Sequence, residues 1–298
     1  MTDARLTPEA KPRIAIMGEF SAGKSTLCNL LLKSRPLPEK VTATRLSPVW
    51  MTKSPGTHCR VTTDGDQEPI VLEDLHTIPV DETRYIQLFL DAEILDHCDF
   101  IDFPGISDPN MDAEVWQRVL TEADAVIWLT HATQAWRQTE AAVWETVPEN
   151  VKEKSVLLIT RFDKLVTELD RRRVVARVEK EAGPDFDAVF PISLTDALAG
   201  MEDYDLWQAS GAEDFMDHMV DLMGQLAHQR AQGDKPEGQD AQVEQNDAPA
   251  KPAEMRLAGP AKPEMPSEPI QPRVIPRRVR PGVTARRERP GGLGLRRG

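Results

Sequence analysis

Hydrophobic and polar positions along most of this chain form alternating blocks that predict strands and helices in turn. An apolar block at 13–17 precedes a glycine-rich stretch, after which Leu27, Leu30 and Leu31 follow the i, i+3, i+4 spacing of a helix over 24–33. Nearly continuous apolar blocks of this length predict strands that are buried on both faces. Further strands are predicted at 47–52, 59–63, 69–72, 85–95, 97–101, 125–130, 155–159 and 188–192.

Helical patterns separate the later strands. They are predicted at 111–122, 137–147 and 169–182, and at 203–229 as one long helix or a pair interrupted at Ser210-Gly211. We expect Asp64-Gly65 to form the turn between 59–63 and 69–72, and 85–95 to pair with 97–101. Strands that alternate with helices predict an α/β fold, in which a mostly parallel central sheet is covered by helices on both faces. Ligands of such sheets bind beyond the carboxyl ends of the strands.

The composition changes after about residue 230. The segment 231–298 holds 11 of the 24 prolines and no aromatic residue, so it is expected to be disordered. From 273 onward, nine arginines face one acid, which makes this end +8 and leaves −21 for the rest of a chain whose net charge is −13. The molecule is therefore expected to be an acidic body with a basic tail.

The cysteines and the N-terminus bear on the compartment. Cys28, Cys59 and Cys98 have neither zinc-ligand spacing nor an even count, so no disulfide framework is indicated. Residues 1–12 are polar and do not resemble a signal peptide, and no apolar run is long enough to span a membrane. These features predict a cytoplasmic protein. His58, His76, His97 and His218 show no metal-ligand grouping.

The stretch Gly18-Glu-Phe-Ser-Ala-Gly-Lys-Ser-Thr26 lies between the first predicted strand and the first helix. Gly-x-x-x-x-Gly-Lys-Ser in that setting predicts a P-loop, whose backbone N–H groups and helix N-terminus bind phosphate. Lys24 would reach the β- and γ-phosphates, and the Ser25 hydroxyl would bind Mg²⁺. The alternative is a glycine-rich turn that binds nothing.

Two further motifs follow predicted strands. In Asp102-Phe-Pro-Gly105 the carboxylate can hold Mg²⁺ through water, and the Gly105 N–H can meet the γ-phosphate; the alternative is an ordinary Pro-Gly turn. In Thr160-Arg-Phe-Asp163 the Asp163 carboxylate can accept hydrogen bonds from N1–H and the 2-amino group of guanine. Adenine lacks that donor pair, which disfavours ATP. The alternative for Asp163 alone is a helix N-cap.

Together, these three motifs and a Thr-Arg pair in the proline-containing loop 36–45 resemble the nucleotide-binding motifs of dynamin-family GTPases, especially the bacterial ones. The resemblance covers 11–200 and implies an extended P-loop GTPase fold that uses GTP, GDP and Mg²⁺. It also implies that Thr44 contacts Mg²⁺ and positions the attacking water, and that Ser193 with Leu194 closes over the guanine base. Ser21 would help a charge-compensating cation or the partner's loop to stabilise the β–γ bridging oxygen. The loop that begins at His131 also resembles the family's loop at that place.

The motifs and the resemblance together define the expected catalytic, metal-binding and nucleotide-binding residues. The catalytic residues are Lys24, Ser21 and Thr44, and the metal ligands are Ser25, Thr44 and Asp102. The nucleotide-binding residues are Gly18, Glu19, Phe20, Ser21, Ala22, Gly23, Lys24, Ser25, Thr26, Asp102, Gly105, Thr160, Arg161, Asp163 and Ser193.

This sequence departs from the family pattern in three places. Arg161 stands where the family has a lysine whose stem covers the base. A guanidinium can stack on a purine at least as well as a lysine stem can, so guanine binding is expected to survive. Phe20 replaces the glutamine that eukaryotic dynamins place near the attacking water. The long helical stalk and lipid-binding tip of the family are missing from this sequence.

The expected organisation is an N-terminal arm at 1–10, a GTPase domain at 11–200, a helical segment at 201–230 and a disordered tail at 231–298. The expected function is Mg²⁺-dependent hydrolysis of GTP, stimulated by dimerisation across the nucleotide face. The alternatives are a GTP switch that does not hydrolyse, a P-loop ATPase, and a scaffold that acts through its tail.

The C-terminal segments leave more than one interpretation open. The apolar face Phe215, Met216, Met219, Val220, Met223 and Leu226 is expected to pack on the domain, with a partner or membrane face as the alternative. The arginine tail could bind anionic lipid at the inner membrane or an acidic partner, or it could stay solvated or fold back on the acidic body. It lacks aromatics for base stacking, so nucleic acid is not expected as a partner.

Overall fold

A computed structural model describes residues 11–34, 47–106, 117 and 119–233 of the chain. In this part of the chain, nine strands form one sheet in the order β4-β3-β5-β2-β6-β1-β7-β8-β9. The strands are β1 (Arg13–Gly18), β2 (Val49–Thr52), β3 (Cys59–Thr62), β4 (Gln67–Pro69), β5 (Thr83–Phe89), β6 (Asp99–Asp102), β7 (Ala125–His131), β8 (Val156–Thr160) and β9 (Ala188–Pro191).

Seven α-helices have both of their ends within the described ranges. They are α1 (Lys24–Leu32), α2 (Gln138–Trp144), α3 (Glu149–Lys152), α4 (Glu168–Glu181), α5 (Leu194–Ala199), α6 (Tyr204–Ala209) and α7 (Ala212–Gly233). The predicted helix 203–229 is thus a pair, α6 and α7, which Ser210 and Gly211 separate as expected.

The sheet has a parallel half and a mixed half. Strands β6, β1, β7, β8 and β9 run parallel to one another, whereas β2 is antiparallel to β6 and parallel to β5. The strands β3 and β4 form the predicted hairpin, with Gly65 in its turn at a φ of 94°. The expected mostly parallel α/β fold is therefore confirmed.

Side chains of β1 show why the sheet is covered on both faces. Ile14 and Ile16 point into one core, which α1, α5, α6 and α7 cover, and Ala15 and Met17 point into the other, which contains side chains of α2 and α4. Successive side chains of a strand alternate between faces, so a continuous apolar run needs two cores. Three layers result.

The mixed half of the sheet differs from the sequence-based prediction. The strand predicted at 85–95 ends at Phe89, and Glu93–Asp96 forms a 3₁₀ turn. Its expected pairing with 97–101 is wrong, because β2 lies between β5 and β6 and pairs with both. Of the strand predicted at 69–72, only Pro69 belongs to a strand, the short β4, and the 3₁₀ helix Leu72–Thr77 begins three residues later.

The apolar face of α7 packs on the domain. Phe215, Met216, Met219, Met223 and Leu226 are all at most 3% exposed and belong to the same core as α1. The core interpretation is confirmed for these five residues, whereas Val220, which was predicted on the same face, is only half-buried. The three cysteines are buried and free, and Trp128 and Trp144 are buried core residues.

Several predictions concern residues outside the described ranges. These are the arm 1–10, Thr44 with its loop, most of the helix 111–122, and the tail from 234 onward. Among the residues that are described, no helix combines the length and the apolar character that crossing a bilayer requires.

Candidate nucleotide-binding site

The predicted P-loop connects β1 to α1 at the carboxyl edge of the sheet. Gly18 has a φ of 143°, and a Cβ on it would lie 2.2 Å from the carbonyl oxygen of Leu129 in β7. Only glycine allows the chain to turn this close to its neighbouring strand. The turn therefore begins where the sequence placed it.

Lys24 is the first residue of α1, and its side chain folds back into the loop. Its Nζ donates to the carbonyl oxygens of Gly18 and Glu19 at 3.1 and 2.9 Å. Burial lowers the pKa of Lys24 from its ordinary value, while the nearby Asp102 carboxylate acts in the opposite direction. The loop thus encloses a partly desolvated ammonium, which is the charge that a phosphate chain requires.

Asp102 ends β6 beside Ile16 of β1. Burial raises the pKa of Asp102 to about 6, and Lys24 lowers it. Its Oδ1 is buried and has no hydrogen-bond partner among the described residues. A buried carboxylate oxygen without a donor fits a cation, so Asp102 suits Mg²⁺. The second expected ligand, Ser25, follows Lys24 in α1, and Thr44 lies outside the described residues.

The described ranges contain no metal site that is built from His, Cys, Asp or Glu side chains alone. No group of three or more His, Cys, Asp or Glu side chains is close enough to hold an ion there. The histidines were not expected to bind metal.

The segment after β6 lies against the P-loop. The Ile106 N–H donates to the Gly18 carbonyl oxygen at 3.2 Å. A Cβ on Gly105 would lie 3.0 Å from both the N and the Cα of Phe20, so a side chain there would push the loop away. Phe20 itself is 69% exposed. The contact of the Gly105 N–H with a γ-phosphate stays a prediction.

The end of β8 contributes two different kinds of residue. Thr160 is buried, and its Oγ1 donates to the carbonyl oxygens of Ala22 and Thr130 at 2.6 and 3.1 Å. The Thr160 side chain thus connects the end of β8 to the P-loop and to β7. Arg161 has a φ of 53°, and its Nη2 donates to the Ser21 carbonyl oxygen at 2.8 Å. Arg161 therefore connects the motif after β8 to the P-loop.

Asp163 lies in the 3₁₀ helix Phe162–Lys164, whose N-cap is Arg161. The N-cap alternative for Asp163 is therefore wrong, and Thr167 caps the following helix α4. The Asp163 Oδ2 lies 2.9 Å from the Lys164 Nζ, and the Ser193 Oγ donates to the Asp163 Oδ1 at 3.4 Å. Burial opposes ionisation of Asp163, but these partners outweigh it, and the pKa of Asp163 lies below its ordinary value.

A cavity of about 190 Å³ joins Asp163 to the P-loop. Lys164 and Thr195 line it, and neither was predicted from the sequence, although each is within two residues of a predicted one. The other lining residues are Ala22, Gly23, Thr26, Thr160, Arg161, Asp163 and Leu194. The space thus has a carboxylate acceptor at one side and the phosphate-binding loop at the other.

Glu19, one of the predicted nucleotide-binding residues, directs its side chain toward α2. The Glu19 side chain is buried, and its Oε1 accepts a hydrogen bond from the Thr139 Oγ1 of α2 at 3.0 Å. No local sequence pattern predicts this contact, because 120 residues separate the two partners.

In the metal-free protein, Asp102 is expected to make the free energy of unfolding fall as the pH rises from 3.8 to about 6. The folded state keeps the Asp102 proton through this window, whereas the unfolded chain releases it near 3.8, so the stabilisation is present at low pH and lost above about 6. The contribution is at most about 3 kcal/mol. Melting temperatures of wild type and Asp102→Asn, measured in chelator from roughly pH 4 to 8, would separate it from other carboxylates. Parallel pH profiles for the two proteins would contradict it.

The fold and the site define a P-loop nucleotide-binding domain of the GTPase type. The chain belongs to the dynamin family, whose model matches residues 14–162. It is 26% identical over 161 residues to Dynamin-like protein 2 of Campylobacter jejuni, covering 52% of this chain and 26% of that protein. It is 24% identical over 187 residues to GTPase Era of Aquifex aeolicus, covering 60% and 50%.

Structural comparison gives the same fold. A solved structure of an oligomerised bacterial dynamin pair aligns with a TM-score of 0.55 at 20% identity, over 75% of this chain and 36% of that one. The chain thus spans at most half the length of these relatives. It carries a dynamin-family GTPase domain.

Proposed function

We propose that this protein binds guanine nucleotides with Mg²⁺ and hydrolyses GTP to GDP and phosphate. The observation that carries the proposal is the cavity that runs from the P-loop to Asp163. Its Asp163 carboxylate is ionised at neutral pH, since the pKa lies below its ordinary value. It can therefore accept from N1–H and the 2-amino group of guanine, whereas adenine offers no such pair of donors.

The P-loop beside the cavity supports the proposed roles of the residues that would bind phosphate and metal. The Lys24 ammonium would contact the β- and γ-phosphate oxygens, and the loop N–H groups would donate to the same oxygens. Asp102 and Ser25, with Thr44, would hold Mg²⁺, which when bound supplies positive charge at the β- and γ-phosphates. The side chain of Lys24 and the loop amides stabilise the charge that develops as water attacks in line.

Turnover is proposed to rise when two domains meet across the nucleotide face. Phe20 carries no polar atom, so it cannot orient water as a glutamine would, and its side chain is exposed at this edge. Completion of the site from a second molecule would supply what this loop lacks. Ser21 and Thr44 keep their proposed roles at the bridging oxygen and the attacking water.

A second candidate function is a GTP switch that hydrolyses negligibly. The exposed Phe20 favours it for the same reason, since the residue offers no hydrogen bond to water. Binding of GTP or GDP would then change contacts with a partner. Single-turnover hydrolysis separates the two functions, because the switch would bind GTP and leave it intact.

The deciding experiment measures GTP turnover per molecule against protein concentration, with and without anionic vesicles. Turnover that rises with concentration supports assembly-stimulated hydrolysis, and turnover that stays flat contradicts it. The vesicle arm tests whether the arginine-rich end, which carries +8 from 273 onward, recruits the protein to an anionic surface. Neutral vesicles serve as the control, because they lack the charge that the arginines would bind.

A further inference from the structure

The Glu19 side chain turns away from the phosphate-binding cradle and into the start of α2. Its Oε1 accepts from the Thr139 Oγ1 at 3.0 Å, and its Oε2 lies 3.8 Å from the Arg137 Nη1. The residue is 8% exposed. A carboxylate this well covered needs partners, and α2 provides them.

The same residue holds the P-loop backbone through its main chain. The Glu19 carbonyl oxygen accepts from the Lys24 Nζ at 2.9 Å and from the Ala22 N–H at 3.2 Å. Side chain and carbonyl share one Cα, so anchoring the carboxylate restricts the motion of the backbone that carries the acceptor for Lys24. The anchoring of Glu19 is therefore linked to the phosphate-binding lysine.

The segment that presents Thr139 is itself firmly held. The adjacent Glu140 is 1% exposed and accepts from the Trp128 Nε1 at 3.2 Å and the Arg137 N–H at 2.9 Å. It also accepts from the Thr130 Oγ1 at 3.1 Å. Burial raises the pKa of Glu140, and these donors partly offset that effect. The start of α2 is thus fastened to β7.

Backbone strain in the same segment supports this interpretation. Trp136 has a φ of 57°, a conformation that bulky residues rarely adopt, and its N–H donates to the Thr130 Oγ1 at 2.9 Å. Strain of this kind persists only where the surroundings over-determine the backbone. The segment can therefore act as a fixed support for the P-loop.

We propose that the Thr139–Glu19 hydrogen bond is a positioning contact, which fixes the P-loop in its phosphate-binding shape before nucleotide arrives. Thr139 and Glu19 act through Lys24 and the loop backbone, not on the substrate. The inference deepens the proposed GTPase function and rests on it for its catalytic meaning. The preorganisation itself is a property of the nucleotide-free chain, so it can be measured without GTP.

The test replaces Thr139 by valine, which keeps the shape and removes the donor. In the nucleotide-free full chain, hydrogen–deuterium exchange of the amides in 18–26 is expected to accelerate about 5- to 10-fold, as one lost hydrogen bond predicts. Thr146→Val is the matched control, since its Oγ1 donates at 2.7 Å to the Val143 carbonyl oxygen at the end of α2, away from the loop. Thr139→Ser, which retains the hydroxyl, is expected to restore slow exchange.

Three outcomes would overturn the positioning contact. They are unchanged exchange in Thr139→Val, equal acceleration in Thr146→Val, and failure of the serine variant to restore it. In a second measurement, the dissociation constant for GTP is expected to rise several-fold in Thr139→Val alone. Absence of guanine-nucleotide binding by wild type would sink the proposed function, while the exchange data would still decide the positioning contact.

Discussion

Asp163→Asn is expected to transfer the base preference of this protein from guanine to xanthine. The amide oxygen can still accept from N1–H, but the amide N–H₂ faces the 2-amino group of guanine, donor against donor. Xanthine carries a 2-oxo group at that position, which accepts from the amide. We expect GTP affinity to fall at least about 100-fold, because a buried polar pair is left unmatched.

Competition of GTP, XTP and ATP against a labelled guanine nucleotide measures this change. Asp170→Asn is a matched control, since Asp170 is exposed at the start of α4, where it accepts from the Thr167 Oγ1 at 2.6 Å. An Asp163→Asn protein that binds GTP as tightly as wild type would show that the base is bound elsewhere. Equal competition by ATP in wild type would favour the ATPase alternative.

Lys24→Met is expected to reduce GTP turnover by about 10³-fold or more, because it removes the main positive charge that the chain supplies at the phosphates. Methionine retains the length of the apolar stem, so the fold around α1 should persist. The buried Asp102 would lose the ammonium that now lowers its pKa, and its affinity for a proton should increase. Steady-state turnover and a thermal melt would separate the catalytic effect from stability.

The control for this variant lies in the same helix region. Lys33 directly follows α1, and its Nζ forms an exposed ion pair with Glu93 at 3.3 Å. Lys33→Met should leave turnover close to that of wild type, since exposed pairs of this kind contribute little. Turnover that survives in Lys24→Met would contradict the P-loop assignment.

The parallel half of the sheet was predictable, because buried strands and the glycine-rich turn leave local patterns. Local sequence patterns predict three of its elements. An apolar run predicts strand β1, the glycine-rich stretch predicts the turn at Gly18, and apolar residues at helical spacing predict α1. The mixed half was harder. The position of β2 between β5 and β6 depends on long-range pairing, which no local periodicity reveals.

The site shows the same division. Asp102 and Asp163 were predicted because each belongs to a motif at the end of a buried strand, and the sheet geometry brings the ends of β6 and β8 to one edge. The supporting role of Thr160 behind Ala22 needed the structure, since the sequence only placed it in a motif. The contact of Glu19 with Thr139 joins two elements across 120 residues and left no pattern at all.

Helix α7 sets the position of Gly233 relative to the nucleotide-binding edge of the sheet. Its first residues follow Gly211, which lies against Pro191 at the carboxyl end of β9. Its last turn carries Arg230, whose Nε lies 2.7 Å from the Asp124 Oδ2 that also accepts the Arg13 N–H at the amino end of β1. The helix has 22 residues and is therefore about 33 Å long. A label, tether or supporting surface joined at Gly233 would thus begin at the opposite edge of the sheet, leaving the nucleotide pocket facing outward.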